Sequence, residues 1–512
     1  MFILGSSTLD QKSIENIIIN HEPVSIDEGM VHHLAKMYEL VKKSSSSPQA
    51  IYGINTGFGA LAEQRIPESD QKTLQRNIIL SHAVGVGEPL QFNIAKTMML
   101  LRLNTLVQGY SGASPQLIDS LLKLLNANIA PMVPKKGSVG ASGDLAPLAH
   151  LGLLLLGIGD CYSDQQAIKS SAALEKASLE PLNLGIRDGL ALINGTQAMA
   201  ASAMVALIQC QKLVLLSDLC GASTLDALAG HLAPFDARIH QLKPHAGQIL
   251  SAAHMKTATS GRTISQHVKN PLTQDPYSLR CIPQVHGATK DVVNHVKSVV
   301  EREINSVTDN PLLFLNQEQN ALDILSGGNF HGQAIALALD YLAMAIAELA
   351  NIAERRIELL LNPKHSNGLP AFLAEKGGLN SGYMMLHVTA SALVSENKIL
   401  CHPASVDSIP TSANREDHVS MGMTSANKLW QVMENSQTVL AIELLAAHQA
   451  LGFRPPRTAG LGVQAVHEEL RKFVPFRNSD VLFINDLSSI LSFLQSPKNH
   501  SLIEDIFNHK NQ

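Results

Sequence analysis

Charge is scarce in this chain. Asp, Glu, Lys and Arg make up 16% of its 512 residues, against roughly 25% in ordinary soluble domains. So few charges on so long a chain predict that much surface is buried between subunits. The net charge of −5 gives no electrostatic footing for nucleic acid or an anionic membrane. Cysteine is equally sparse: Cys161, Cys210, Cys220, Cys281 and Cys401 are odd in number, widely spaced, and form no Cys-x-x-Cys pair. That argues against a disulfide framework or a zinc site and fits a reducing cytoplasm. There is no His-Glu-x-x-His and no Gly-x-x-x-x-Gly-Lys-Ser/Thr loop, so neither a metal nor a nucleotide is expected. The first residues lack a basic stretch followed by a long apolar one, so no secretory signal is expected. The apolar run Leu153 to Leu156 is too short to span a bilayer.

Apolar residues at helical spacing are plentiful. Stretches rich in Ala, Leu, Met and Val recur at 196–229, 286–307, 331–361, 380–401 and 419–452, and their spacing is that of helices rather than strands. Residues 334–361 are apolar around most of the circumference, which predicts burial at a bundle centre. A short strand and a helix near 29–43 are expected in the first 50 residues, shorter helices at 464–495, and a polar tail at 497–512. The predicted fold is mainly α. It is an elongated bundle of long helices with a smaller, mixed N-terminal region. Residues 1–190 form that region and 191–512 the bundle and C-terminal helices, with no clean linker between them.

Within 1–190 lies Gly137-Ser138-Val139-Gly140-Ala141-Ser142-Gly143-Asp144. A Gly-rich run is usually a turn. Ala141-Ser142-Gly143 has a second possibility. Gly143 has no Cβ, so its nitrogen can approach the Ala141 carbonyl carbon closely. Ring closure with loss of water, and loss of the Ser142 hydroxyl as a second water, leaves 4-methylidene-imidazole-5-one (MIO), an electrophile that no side chain supplies. Ser142, Asp144 and His150 are too close in sequence for the dispersed triads of hydrolases, and no Gly-x-Ser-x-Gly surrounds Ser142.

The run from Gly137 to His150 resembles that of the aromatic amino acid ammonia-lyases, a family with histidine, phenylalanine and tyrosine branches and related aminomutases. Six further runs between residues 51 and 421 match it in order. Ile51-Tyr52-Gly53-Ile54-Asn55-Thr56-Gly57-Phe58-Gly59 could be a turn with a packed aromatic. The resemblance makes Tyr52 the base that removes the substrate β-proton. A phenol has an ordinary pKa near 10, so cationic or hydrogen-bonding neighbours must lower it for this task. In Leu192-Ile193-Asn194-Gly195-Thr196-Gln197, Asn194 or Thr196 could cap a helix, whereas the resemblance puts Asn194 beside the ring or the substrate amine.

Gln274-Asp275-Pro276-Tyr277-Ser278-Leu279-Arg280 carries a planar guanidinium suited to a carboxylate. The resemblance makes Arg280 the carboxylate anchor, sets Tyr277 beside the ring and gives Gln274 a part in orientation. Phe330, in Ser326-Gly327-Gly328-Asn329-Phe330-His331-Gly332, is core or pocket floor. Two positions sort substrates. Ser81-His82 looks like the histidine branch, where phenylalanine enzymes tend to carry Phe-Leu and tyrosine enzymes His-Leu. Glu416 could form a helix-end charge pair with Asp417, but a carboxylate there suits an imidazole where phenylalanine-type enzymes usually carry Gln. The resemblance therefore implies deamination of L-histidine to trans-urocanate by a homotetramer with shared active sites. An aminomutase, or a tyrosine or phenylalanine lyase, is the alternative.

Overall fold

Each long apolar stretch folds as its periodicity predicts. Helices occupy Gln197–Ala227, Ile282–Glu303, Gln333–Leu361, Met384–Leu400 and Gly422–Gly452. The computed structural model describes residues 1–508, and among these it holds nineteen α-helices and nine short strands. The protein is mainly α. Two of its helices, Gln197–Ala227 and Gln333–Leu361, are long and apolar enough to cross a membrane by length and composition alone. The first has 78% of its most apolar window buried inside the fold, as a core helix does. The second departs from the expected all-round burial. Ile335, Leu339, Leu342 and Ile346 are buried, but Leu337, Tyr341 and Met344 are 52, 45 and 40% exposed. Their spacing of four and three residues makes them one stripe on the helix.

The described residues divide into two compact units. One comprises Met1–Ala206, Lys297–Asp340 and Pro403–Asn427; the other comprises Leu207–Val296, Tyr341–His402 and the described part of Lys428–Gln512. All nine strands lie in the first unit. Phe2–Leu4 pairs in parallel with Val24–Ile26, and Val86–Pro89 pairs antiparallel with Pro134–Lys136. Ile129–Pro131, Asp160–Ser163 and Gln166–Lys169 form a three-stranded antiparallel sheet, and Leu312–Asn316 and Ala321–Leu325 form a hairpin. The turn ahead of the Pro115–Asn126 helix shows how local sequence sets element ends. Ser114 accepts from the Leu117 amide at 3.2 Å, and Pro115 fills the first helical turn, where its missing N–H costs nothing.

The second unit has helices and no strand among the described residues. Its interior is not purely apolar. The buried Asp218 carboxylate accepts from His254 Nδ1, His286 Nδ1 and Lys290 Nζ at 2.7–2.8 Å, the pairing a buried charge requires. The predicted polar tail is corrected over most of its length, since Pro497–Asn508 is a helix. Leu502, Ile503, Ile506 and Phe507 fall on one face of it. Ile503 is buried, and Phe507 stacks on His254 with ring centroids 4.4 Å apart. The rest of that tail lies outside the described residues.

Candidate active site

The Ala141-Ser142-Gly143 turn stands just ahead of the Leu145–Leu155 helix. Ser142 and Gly143 have φ of 51° and 79°, left-handed values that a serine adopts at a cost. Gly143 and Gly195 pair in a single parallel bridge, and the Asp144 amide donates to the Gly195 carbonyl at 2.7 Å. A Cβ at Gly143 would lie 2.2 Å from the Gly195 oxygen, and one at Gly195 would lie 2.4 Å from the Thr308 oxygen. Only two side-chain-free backbones fit together here. Gly143→Ala should therefore displace the turn and cut activity by about 100-fold or more, the scale of an ångström-size misplacement. Ammonia release measured beside a melting curve checks this, since a merely unstable variant would lose both together.

Asp144, which sequence reasoning left without a role, fastens the turn to the long helix behind it. Its carboxylate accepts from the Met199 amide at 2.8 Å and from Ser138 Oγ at 3.2 Å. Met199 lies in the first turn of Gln197–Ala227, where free amides favour an acid. Burial pushes the Asp144 carboxyl up to about 7, against the opposing Met199 amide and Ser138 hydroxyl. The capping expected of Asn194 or Thr196 is thus supplied in part by Asp144. Thr196 Oγ1 instead donates to Glu303 at 2.6 Å. Asn194 ends the Asp188–Ile193 helix and donates through Nδ2 to the Asn310 carbonyl at 3.0 Å. Its Oδ1 is buried with no hydrogen-bond partner.

Tyr52, His82, Ser142, Asn194 and Glu416 line one cavity of about 470 Å³, closed on its apolar side by Leu61, Ile66, Leu74, Ile78, Leu145 and Leu190. Ser142 Oγ donates to Glu416 Oε1 at 3.3 Å, and Thr411 Oγ1 donates to Glu416 Oε2 at 2.8 Å. His82 closes the Gln71–His82 helix. Burial lowers its imidazole below the ordinary histidine range, against the Ile78 carbonyl and Glu416, so the ring is neutral at neutral pH. Ser81 Oγ lies 3.3 Å from the Ile78 carbonyl and 3.0 Å from His82 Nδ1. With the proton on Nδ1 the ring presents Nε2 as a hydrogen-bond acceptor, and with the proton on Nε2 it presents a donor. Tyr52 differs from expectation. Burial raises its phenol; the Arg187 guanidinium and a backbone hydrogen bond from Gly59 lower it, while Glu416 and Asp309 raise it further. The lowering neighbours are present, and burial outweighs them.

The remaining expected residues do not line this cavity. Phe330 is half-buried in the first unit; next to it, His331 Nε2 lies 3.2 Å from the His418 carbonyl and the two rings stack. Gln274, Tyr277 and Arg280 belong to the second unit. Tyr277 is 70% exposed and the Arg280 guanidinium lies over its ring, 4.5 Å from the centroid. Arg280 Nε is buried with no partner. Among the described residues no group of three or more His, Cys, Asp or Glu is placed to hold a metal ion.

A mainly α fold that gathers a tyrosine, an Ala-Ser-Gly turn and an unpaired asparagine oxygen around one cavity defines a class. Residues 9–472 match the profile of the aromatic amino acid lyases, and the chain belongs to that family. Its similarity is strong to histidine ammonia-lyase of Stigmatella aurantiaca, at 49% identity over 494 residues, 96% of each chain. The crystal structure of histidine ammonia-lyase from Trypanosoma cruzi superposes with a TM-score of 0.88 at 37% identity, covering 99% of this chain and 95% of that one. Tyrosine aminomutase from Streptomyces globisporus superposes with a TM-score of 0.91 at 31% identity over the whole of both chains. Backbone shape therefore does not separate lyase from mutase.

Proposed function

We propose that this protein is a carbon–nitrogen lyase that removes ammonia from L-histidine to give trans-urocanate, the first step of histidine degradation. The observation that carries the substrate is the pairing of His82 and Glu416 in the Tyr52–Ser142 cavity. The near full-length similarity to histidine ammonia-lyases, at 47 and 49% identity against 31% to the tyrosine aminomutase, supports it.

The turn fits an internally formed MIO group. Gly143 closes against Gly195 with no room for a Cβ, Ser142 faces the cavity, and Asn194 Oδ1 is an orphaned acceptor beside it. Ala141, Ser142 and Gly143 would form the ring, and Asp144 and Gly195 would hold it. Once formed, it supplies an electrophile that makes the substrate amine a better leaving group. The protein's own groups do the rest. The Tyr52 oxygen takes the β-proton, the electron pair forms the Cα–Cβ double bond, and the C–N bond breaks with release of ammonia. His82 donates to or accepts from the substrate imidazole according to its tautomer, and Glu416 accepts from or polarises the same ring. Asn194 orients the amine.

Arg280 anchors the substrate carboxylate with Tyr277 and Gln274 beside it, and Phe330 contributes to the pocket floor. We assign the Arg280 group to the cavity of another copy in a homotetramer. Exposed Tyr277, unpaired Arg280 Nε and the exposed Leu337–Tyr341–Met344 stripe support an assembly of this kind. Five free cysteines agree with a cytoplasmic setting. Glu416→Gln tests the pocket. It keeps the shape and loses the charge, so histidine turnover should fall by about 10²-fold or more with no change in assembly. Unchanged kinetics with histidine would remove Glu416 from the site.

A further inference from the structure

Behind the cavity the first unit buries a cluster of two arginines on one aspartate. Arg102, Arg187 and Asp309 have side chains with no solvent exposure, and Asp309 Oδ2 lies 3.4 Å from Arg102 and 3.6 Å from Arg187. Two guanidiniums thus share one carboxylate. Each guanidinium also grips backbone next to a site residue. Arg102 Nη1 donates to the Asn194 carbonyl at 2.9 Å. Arg187 Nη1 donates to the carbonyl of Gly53, the residue after Tyr52, at 3.1 Å, and its other nitrogens donate to Ser111 and Pro311 carbonyls. Arg187 itself has a left-handed backbone, φ 69°, at the start of the short helix that ends at Asn194.

A carbonyl satisfies a guanidinium N–H but not its charge. Burying an uncompensated charge is costly, and a fold that does so has an anion to meet it in some state. The charged or titratable groups that face Arg187 are Asp309, Tyr52 and the second guanidinium, Arg102. Those that face Tyr52 are Arg187, Glu416 and Asp309. Asp309 is shared with Arg102, which leaves Tyr52 as the group whose ionisation balances the cluster.

We propose that Arg187 is a positioning residue that holds the Tyr52 loop through Gly53 and serves as the resident counter-cation of the Tyr52 phenolate, with Asp309 setting how much of its charge Tyr52 feels. This rests on the reading of Tyr52 as the base. The two members of the pair then act on Tyr52 in opposite senses. Burial raises the Asp309 carboxyl while Arg187 and Arg102 lower it, so its ionised form depends on the same arginines.

The test is a fluorotyrosine at position 52, titrated by fluorine NMR in the full-length protein and in its Arg187→Met and Asp309→Asn variants. Arg187→Met should move the position-52 titration up by about one pH unit or more, and Asp309→Asn should move it down. Arg187→Lys should restore most of the first shift. A purely structural role predicts shifts of one sign in both variants, or none, and either result overturns the proposal. If Arg187→Met does not fold, Asp309→Asn decides alone: a downward shift supports the proposal, and an upward shift or none refutes it. The titration reads position 52 whatever the substrate is. Failure of the histidine assignment therefore shows in turnover and leaves this result standing.

Discussion

Ser142→Ala should reduce ammonia release from L-histidine by at least about 10⁴-fold, the scale seen when a group that reacts covalently is deleted from an active site. The fold should survive. Ser142 Oγ makes one hydrogen bond in the structure, to Glu416 at 3.3 Å, and losing a part-exposed hydroxyl costs about 1 kcal/mol or less. Activity and stability therefore separate in this variant. Intact mass gives an independent reading, because the mature wild-type chain should be lighter than its sequence by two waters and the variant should not be. Cyanide or borohydride, which consume an electrophile, should inactivate the wild type alone. A Ser142→Ala protein with full activity would end the cofactor assignment.

Tyr52→Phe should cost about 10²–10⁴-fold in kcat, the range for a positioned acid or base. The pH dependence makes the test sharper. Burial holds the Tyr52 phenol above its ordinary range, so the ionised fraction at neutral pH is small and grows tenfold with each pH unit. If the phenolate is the active form, kcat rises with pH from neutral into the alkaline range with a slope near one. In Tyr52→Phe that limb should flatten while histidine still binds. A retained limb would place the base elsewhere. In the proposed homotetramer, Arg280 of a second copy would add a further cation and move the limb towards lower pH.

The long helices were legible because an apolar face repeated over roughly five to nine turns outweighs local noise. Strands of three to five residues, such as Val86–Pro89 with Pro134–Lys136, are too short for an alternating pattern to stand out. Pro497–Asn508 read as polar because its apolar face is four residues wide in a sequence otherwise rich in polar side chains. In the site, the resemblance to ammonia-lyases, and not spacing, brought Tyr52, His82, Ser142, Asn194 and Glu416 together from across 365 positions. Arg102 and Arg187 were missed because an arginine without solvent exposure reads in sequence like any solvated one. The Asp directly after Ala-Ser-Gly was the one visible sign of Asp144.

The proposed function requires a histidine-specific elimination in this cavity. Purified protein given L-histidine, L-phenylalanine and L-tyrosine separately, with ammonia and ultraviolet-absorbing product recorded, tests it most directly. Equal amounts of ammonia and trans-urocanate are expected from histidine, and neither cinnamate nor coumarate from the other two. Cinnamate or coumarate would keep the family and contradict the roles given to His82 and Glu416. A β-amino acid formed without free ammonia would make the protein a mutase.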